Sequence, residues 1–195
     1  MIFTIMGVNT GVILHNDKFA ALALKIKHPK SKQSLLFFPL VALKDLLLGL
    51  EHRLTLQAAS AGKVKEQQRK AIDSATKKMQ SHIPALDVDE LQNADVSQRV
   101  NKVELRENSE NELVFVFSLQ CGETFKLGIN AQQIELLVTA IIHAINNAGM
   151  RDVALSLSSI LDFLPLYDAE FLSDGNIAYD TYFQDEWKQA LFIHH

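Results

Sequence analysis

The spacing of the hydrophobic residues changes twice along the chain, and this restricts the fold more than any other feature. Leu22, Leu24 and Ile26 alternate with Lys25 and Lys27, the pattern of a strand with one apolar and one wet face. Leu43, Leu47, Leu50 and Leu54 then recur at steps of four, three and four, which places them on one stripe of a helix. The same change follows residue 129: three strand-like segments, 101–107, 113–120 and 123–129, lead into a helix carrying Ile134, Leu137, Val138, Ile141, Ile142 and Ile145. Such a chain reads as α+β, with antiparallel strand runs each followed by covering helices. The order also suggests a duplicated strand-strand-helix unit, since aligning Leu43–Leu47 with Ile134–Val138 superposes Leu50 on Ile141 and His52 on His143. Two unrelated amphipathic helices that follow hairpins would align in the same way.

Turn and cap residues punctuate these elements. Residues 2–8 read as a strand, Asn9-Thr10-Gly11 as a turn and 12–15 as its continuation. Asn16-Asp17 is a second turn, because both side chains tolerate left-handed backbone. Pro39 suits a helix start. Residues 65–82 form a polar helical segment that Pro84 ends. Asp87 with Glu90 forms a capping-box variant ahead of a short helix over 88–94. Asn108-Ser109 and Cys121-Gly122 supply turns, Asn130 with Gln133 caps the apolar helix, and Gly149 occupies its left-handed C-terminal position. Residues 153–157 read either as a strand or as the lead into a helix over 158–164. Residues 170–172 and 177–182 read as a hairpin, and Asp185-Glu186 opens a last helix.

The chain has 195 residues, 48% hydrophobic and 22% charged, enough apolar material to bury a core without disulfides or metals. It is expected to form one compact unit over 1–195, with subdomains at 1–84 and 100–195. The single cysteine, Cys121, has no internal partner for a bridge, which favours a reducing compartment. The N-terminus lacks the basic region of a secretory signal, and no apolar run approaches the about 20 residues of a spanning helix. The expectation is a cytoplasmic protein without a membrane segment. The net charge of −4 conceals an asymmetry: residues 1–83 hold 13 basic and 5 acidic side chains, and residues 84–195 hold 6 and 18.

No catalytic, metal or cofactor-binding set is expected. The seven histidines do not fall four apart on a helix face around a glutamate, as a zinc hydrolase requires, and His194-His195 read either as native or as the stub of a purification tag. No Gly-x-Ser-x-Gly elbow, P-loop or dinucleotide fingerprint occurs. Two patches remain. Tyr167, Asp168, Glu170, Phe171, Asp174, Tyr179, Tyr182 and Trp187 combine acids with aromatics, a composition that suits protein contact, although each ring fits a core equally well. Lys63, Lys65, Arg69, Lys70, Lys77 and Lys78 make the 63–78 helix basic. It would attract phosphates without reading bases, or simply face solvent.

Gly7-Val8-Asn9-Thr10-Gly11, the Ala21-Leu22-Ala23-Leu24-Lys25-Ile26 strand, and Leu155-Ser156-Leu157-Ser158-Ser159 with Asp162-Phe163-Leu164-Pro165-Leu166 resemble the YjeJ-like proteins of enterobacteria. That resemblance implies a bacterial cytoplasmic setting and brings no catalytic residues. The expected function is a non-enzymatic protein-interaction or regulatory factor, with a protein partner or a second copy. The alternatives are nucleic-acid association through the 63–78 helix, and an enzyme using Cys121 or the Asp168/Glu170 pair in a cleft.

Overall fold

The computed structural model describes residues 2–5, 7–29, 33–60, 86–93, 95–107, 113–130, 133–134, 137–138, 140–141, 144–145, 148–150, 153, 156 and 180–183. Strands β1 (Phe3–Thr4), β2 (Gly7–His15), β3 (Lys18–Lys27) and β4 (Gln33–Phe38) precede helix α1 (Leu40–Ser60). A short helix α2 (Val88–Gln92) and a 3-10 turn (Val96–Gln98) lead to β5 (Val100–Glu107), β6 (Leu113–Leu119) and β7 (Thr124–Ile129). Helix α3 follows, its described residues lying between 133 and 145, and β8 is Asp180–Phe183. The class is mixed α+β, as the spacing of the apolar residues predicts.

The strands make two four-stranded sheets, ordered β4-β3-β2-β8 and β1-β7-β6-β5. Each contains an antiparallel meander and one parallel edge strand. The meander-then-helix order recurs, but the edge strands do not correspond. β8 joins the first strand of one meander, and β1 joins the last strand of the other. What recurs is only the order of a meander followed by a helix, and the unlike edge strands do not support a duplicated unit.

Local chemistry explains the turns. Asn16 and Asp17 both take positive φ, 49° and 58°, the geometry that lets a two-residue hairpin match strand twist. Gly122 takes φ 85° between β6 and β7. Asn130 Oδ1 accepts from the Gln133 backbone N–H at 2.9 Å, and Gln133 Oε1 accepts from the Asn130 N–H at 3.0 Å, a reciprocal cap at the start of α3. Gly149 (φ 72°) ends that segment, with Met150 N–H donating to the Ile145 carbonyl at 2.9 Å, as a left-handed glycine cap requires. Residues 153 and 156 are helical rather than extended, and the helix foreseen over 158–164 lies outside the described residues.

Several expectations are corrected. Asn9-Thr10-Gly11 is not a turn but lies inside β2, which runs unbroken from Gly7 to His15. Thr10 is fully buried, and its hydroxyl donates to the Ala140 carbonyl of α3 at 3.0 Å. The strand foreseen over 2–8 is shared between the sheets, because Phe3 and Thr4 pair with β7 while Gly7 onward pairs with β3. The outer face of β3 is not wet at Lys25, which is 4% exposed. The expected polar helix over 65–82, the 108–109 turn and the last helix lie outside the described residues, as does the hairpin apart from residues 180–182.

The inner faces of both meanders line one apolar core. Val12, Leu24, Leu36 and Phe38 meet Phe115, Phe117 and Leu127 there, together with Leu43, Leu47 and Leu50 of α1 and Leu137 and Ile141 of α3. Phe117 is the hub. Its ring stands edge-on to Phe38 across the sheets (centroids 5.3 Å, 87°) and stacks near Phe115 and Phe125 at 5.9 and 6.2 Å. Each helix also reaches across: α1 touches β5 as well as β3 and β4, and α3 bonds to Thr10 of β2. At Gly49 an added Cβ would sit 3.2 Å from Phe115 Cε1, so α1 approaches β6 where a side chain is missing.

Two measurements follow from this packing. Phe117→Ala is expected to cost about 3–5 kcal/mol through the cavity it leaves, read as a lower urea midpoint. On β5, Glu104 accepts from Lys102 at 2.8 Å and from Arg106 at 2.9 Å. These bonds, the Lys102 one first, hold its carboxyl at about 2, below the ordinary 4.5. A depressed carboxylate stabilises the fold above its unfolded pKa, and that contribution disappears as pH falls through the folded value. Glu104→Gln should therefore flatten the acid limb of a stability profile between pH 4.5 and about 2, an effect that salt should screen because both cations are exposed.

Candidate functional site

The site is built on the outer face of β4. Pleating turns Leu36 and Phe38 into the main core and Leu35 and Phe37 to the opposite side, where Phe37 joins a second cluster with Ile13, Ala23, Leu86 and Leu91. Residues 86–93 and 95–98 are held against this face. Asp87 caps α2 by accepting from the Asp89 N–H at 3.1 Å. Asn93 closes it by donating to the Asp89 carbonyl from both backbone N–H (3.0 Å) and side chain (2.9 Å). The foreseen capping box is not made. Glu90 instead accepts from Lys25 Nζ at 2.7 Å, and the helix ends at Gln92 rather than at residue 94. The Lys25 side chain is 5% exposed and that of Glu90 35%, so the pair fastens α2 to the sheet through an ammonium that has lost its water.

Beyond α2, Asp95 Oδ1 accepts from the Ser97 N–H at 2.9 Å. Hydrogen bonds from Ser97, side chain before backbone, hold the Asp95 carboxyl below its usual range. The chain then returns to the sheet, with Arg99 bridging Phe37 in parallel. Between β4 and this returning segment lies an open groove of about 640 Å³. Gln33, Ser34, Leu35 and Phe37 form one wall, and Asp89, Glu90, Asn93, Asp95 and Gln98 form the other. At the end of β3–β4, buried His28 shares a hydrogen bond between its Nε2 and Ser34 Oγ at 2.9 Å, its ring tilted over Phe125 at 5.6 Å.

A second surface lies on α1. Leu40, Val41 and Leu48 are 44%, 72% and 43% exposed, flanked by exposed Lys44 and Asp45. Val41 and Leu48 stand seven residues apart, two turns along one side of the helix.

The sequence-derived patches are not brought into view. Tyr167, Asp168, Glu170, Phe171, Asp174, Tyr179 and Trp187 lie outside the described residues, as do Lys63, Lys65, Arg69, Lys70, Lys77 and Lys78. Tyr182 is placed only by its backbone, opposite Ile13 in the β2–β8 pairing. Cys121 is a free, exposed thiol in the β6–β7 turn. Among the described residues, no three His, Cys, Asp or Glu gather as a metal set, and no helix is long and apolar enough to cross a membrane. Reading the sequence missed the Lys25–Glu90 pair and the groove, because both depend on a segment remote from β3 and β4 folding back over them. The exposed apolar side of α1 was open to detection, since Leu40 to Leu50 is apolar nearly all round.

These features define a mixed α+β protein with a groove between a strand edge and a returning segment. The chain belongs to the YjeJ-like family, whose model matches residues 1–195. It is similar to Uncharacterized protein YjeJ of Escherichia coli strain K12, 50% identical over 195 residues, which span 100% of this chain and 68% of that protein. No solved structure matches it.

The pair under the groove sets a stability test. Glu90→Gln leaves the buried Lys25 ammonium without its carboxylate and is expected to cost about 2 kcal/mol, less than a fully buried pair because Glu90 is partly exposed. Adding Lys25→Met should recover most of that loss in urea unfolding. A double variant no better than Glu90→Gln alone would show that the pair is not coupled.

Proposed function

We propose that this protein works by binding another protein, as a non-enzymatic interaction or regulatory factor. The exposed apolar side of α1 carries this reading. Val41 is 72% exposed beside Leu40 and Leu48, while the opposite side of the same helix, at Leu43, Leu46, Leu47 and Leu50, is fully buried. A helix whose inner side already satisfies the core gains no folding stability from aliphatic side chains on its outer side; grouped there, they favour contact with a second apolar surface. Lys44 and Asp45 between them supply the polar rim that gives such contacts orientation. The cytoplasm is the proposed setting, supported by an exposed and unbridged Cys121 that suits a reducing compartment.

The test is affinity purification from a bacterial host, together with sedimentation of the purified chain. A partner, or a second copy, should be retained by the wild type and lost by Val41→Asp/Leu48→Asp, with the melting temperature unchanged. Glu123→Lys, in the exposed β6–β7 turn, should retain it. A wild-type chain that is monomeric and retains nothing specific, or a double Asp variant that binds as before, would end the reading.

A further inference from the structure

A different surface points to a different partner chemistry. We propose that the outer edge of β4 is a strand-addition site for an extended basic segment of a partner protein.

β4 is the terminal strand of its sheet, and every second residue of such a strand turns its N–H and C=O outward. Its outer edge is bridged in parallel at Phe37 by Arg99, the residue that leads into β5. Continued backwards, that pairing would set Ser97 opposite Leu35 and Asp95 opposite Gln33. The 3-10 turn at Val96–Gln98 carries the chain away instead, and the space it leaves is the groove of about 640 Å³. Among the described residues, no backbone hydrogen bond outside the β3–β4 pairing reaches residues 33–35. A strand's place beside β4 is thus laid out and left open for three residues, about 10 Å at the rise of a strand.

Strand addition draws affinity from main-chain bonds and specificity from alternate side chains. An added strand would turn every second side chain towards the outer face of the sheet, where α2 and the 3-10 turn lie. That wall carries Asp89, Glu90 and Asp95. Glu90 is engaged by Lys25, and one oxygen of Asp95 by Ser97. Asp89 and Asp95, both exposed, line the groove, and none of the described residues lining it is a lysine or arginine. Alternating Lys or Arg on the incoming segment would complement them.

The test uses the full-length chain and three fluorescein-labelled eight-residue peptides: alternating Lys-Val, alternating Glu-Val, and Lys-Val with methylated backbone nitrogens. The Lys-Val peptide should raise anisotropy and bind about tenfold more tightly than either control, weakening with salt. Hydrogen exchange should slow at the outward-facing amides within residues 33–35, and Asp89→Lys should reduce affinity without lowering the melting temperature. Leu35→Lys, which places a cation in the groove wall from the other side, should reduce it as well. Equal binding of the Glu-Val or methylated peptide would overturn the proposal. So would protection confined to other residues, or slowed exchange at those same amides that depends on chain concentration without peptide, which would mark the occupant as a second copy.

Discussion

The contact between Phe38 and Phe117 ties the two halves of this fold together. One ring belongs to the edge strand of the first sheet and the other to the middle of the second, and they meet edge-on at 5.3 Å. Edge-on aromatic contacts are specific in direction, so this pair sets how the sheets face each other as well as how close they come. Around it, Leu36, Leu24 and Val12 depend on residues that follow β5, while Phe115 depends on α1, which precedes β5. Neither meander closes its own core. The crosswise placement of the helices follows from this: α1 lies against β5, and α3 takes a hydrogen bond from β2.

The outer face of the first sheet is organised differently. The apolar cluster there is small, five buried residues among those described, and a charged link supplements it. Burying Lys25 carries a desolvation cost that its bond to Glu90 has to offset, so the pair contributes more to position than to net stability. It fixes where α2 lies along β3, and with it where the chain must turn at Val96–Gln98 to rejoin the sheet at Arg99. The groove is a consequence of that geometry. A lysine in the middle of a strand thereby decides where a strand edge stays accessible.

Features that rest on neighbours in sequence were legible before the structure. The Asn16-Asp17 turn, the reciprocal Asn130–Gln133 cap and the left-handed glycines at 122 and 149 each involve side chains within a few residues of the groups they satisfy. The core faces of β3, α1 and α3 were legible because burial imposes the period of the element. What could not be read depends on remote partners. Thr10 beside Gly11 has the composition of a turn, yet it pairs with Leu24 inside β2–β3, and its buried hydroxyl finds its acceptor in the Ala140 carbonyl, 130 residues away. Lys25 alternates with leucines as a solvent-facing residue does, until Glu90, 65 residues away, covers it. The candidate groove belongs to this second kind, since its walls are β4 and the segment that returns from α2.

The same remoteness bears on the growing chain at the ribosome. The first meander, residues 7–38, is complete early in translation, but its apolar inner face waits for Phe117, 79 positions later, before it is covered. At elongation rates of about 5–20 residues per second this is an interval of several seconds. When the meander is complete, the amphipathic helix α1 is the next described element to be made and the first that can shelter Leu24, Leu36 and Phe38. Its buried leucines therefore act first as a temporary cover for the nascent sheet, and only afterwards as part of the finished core.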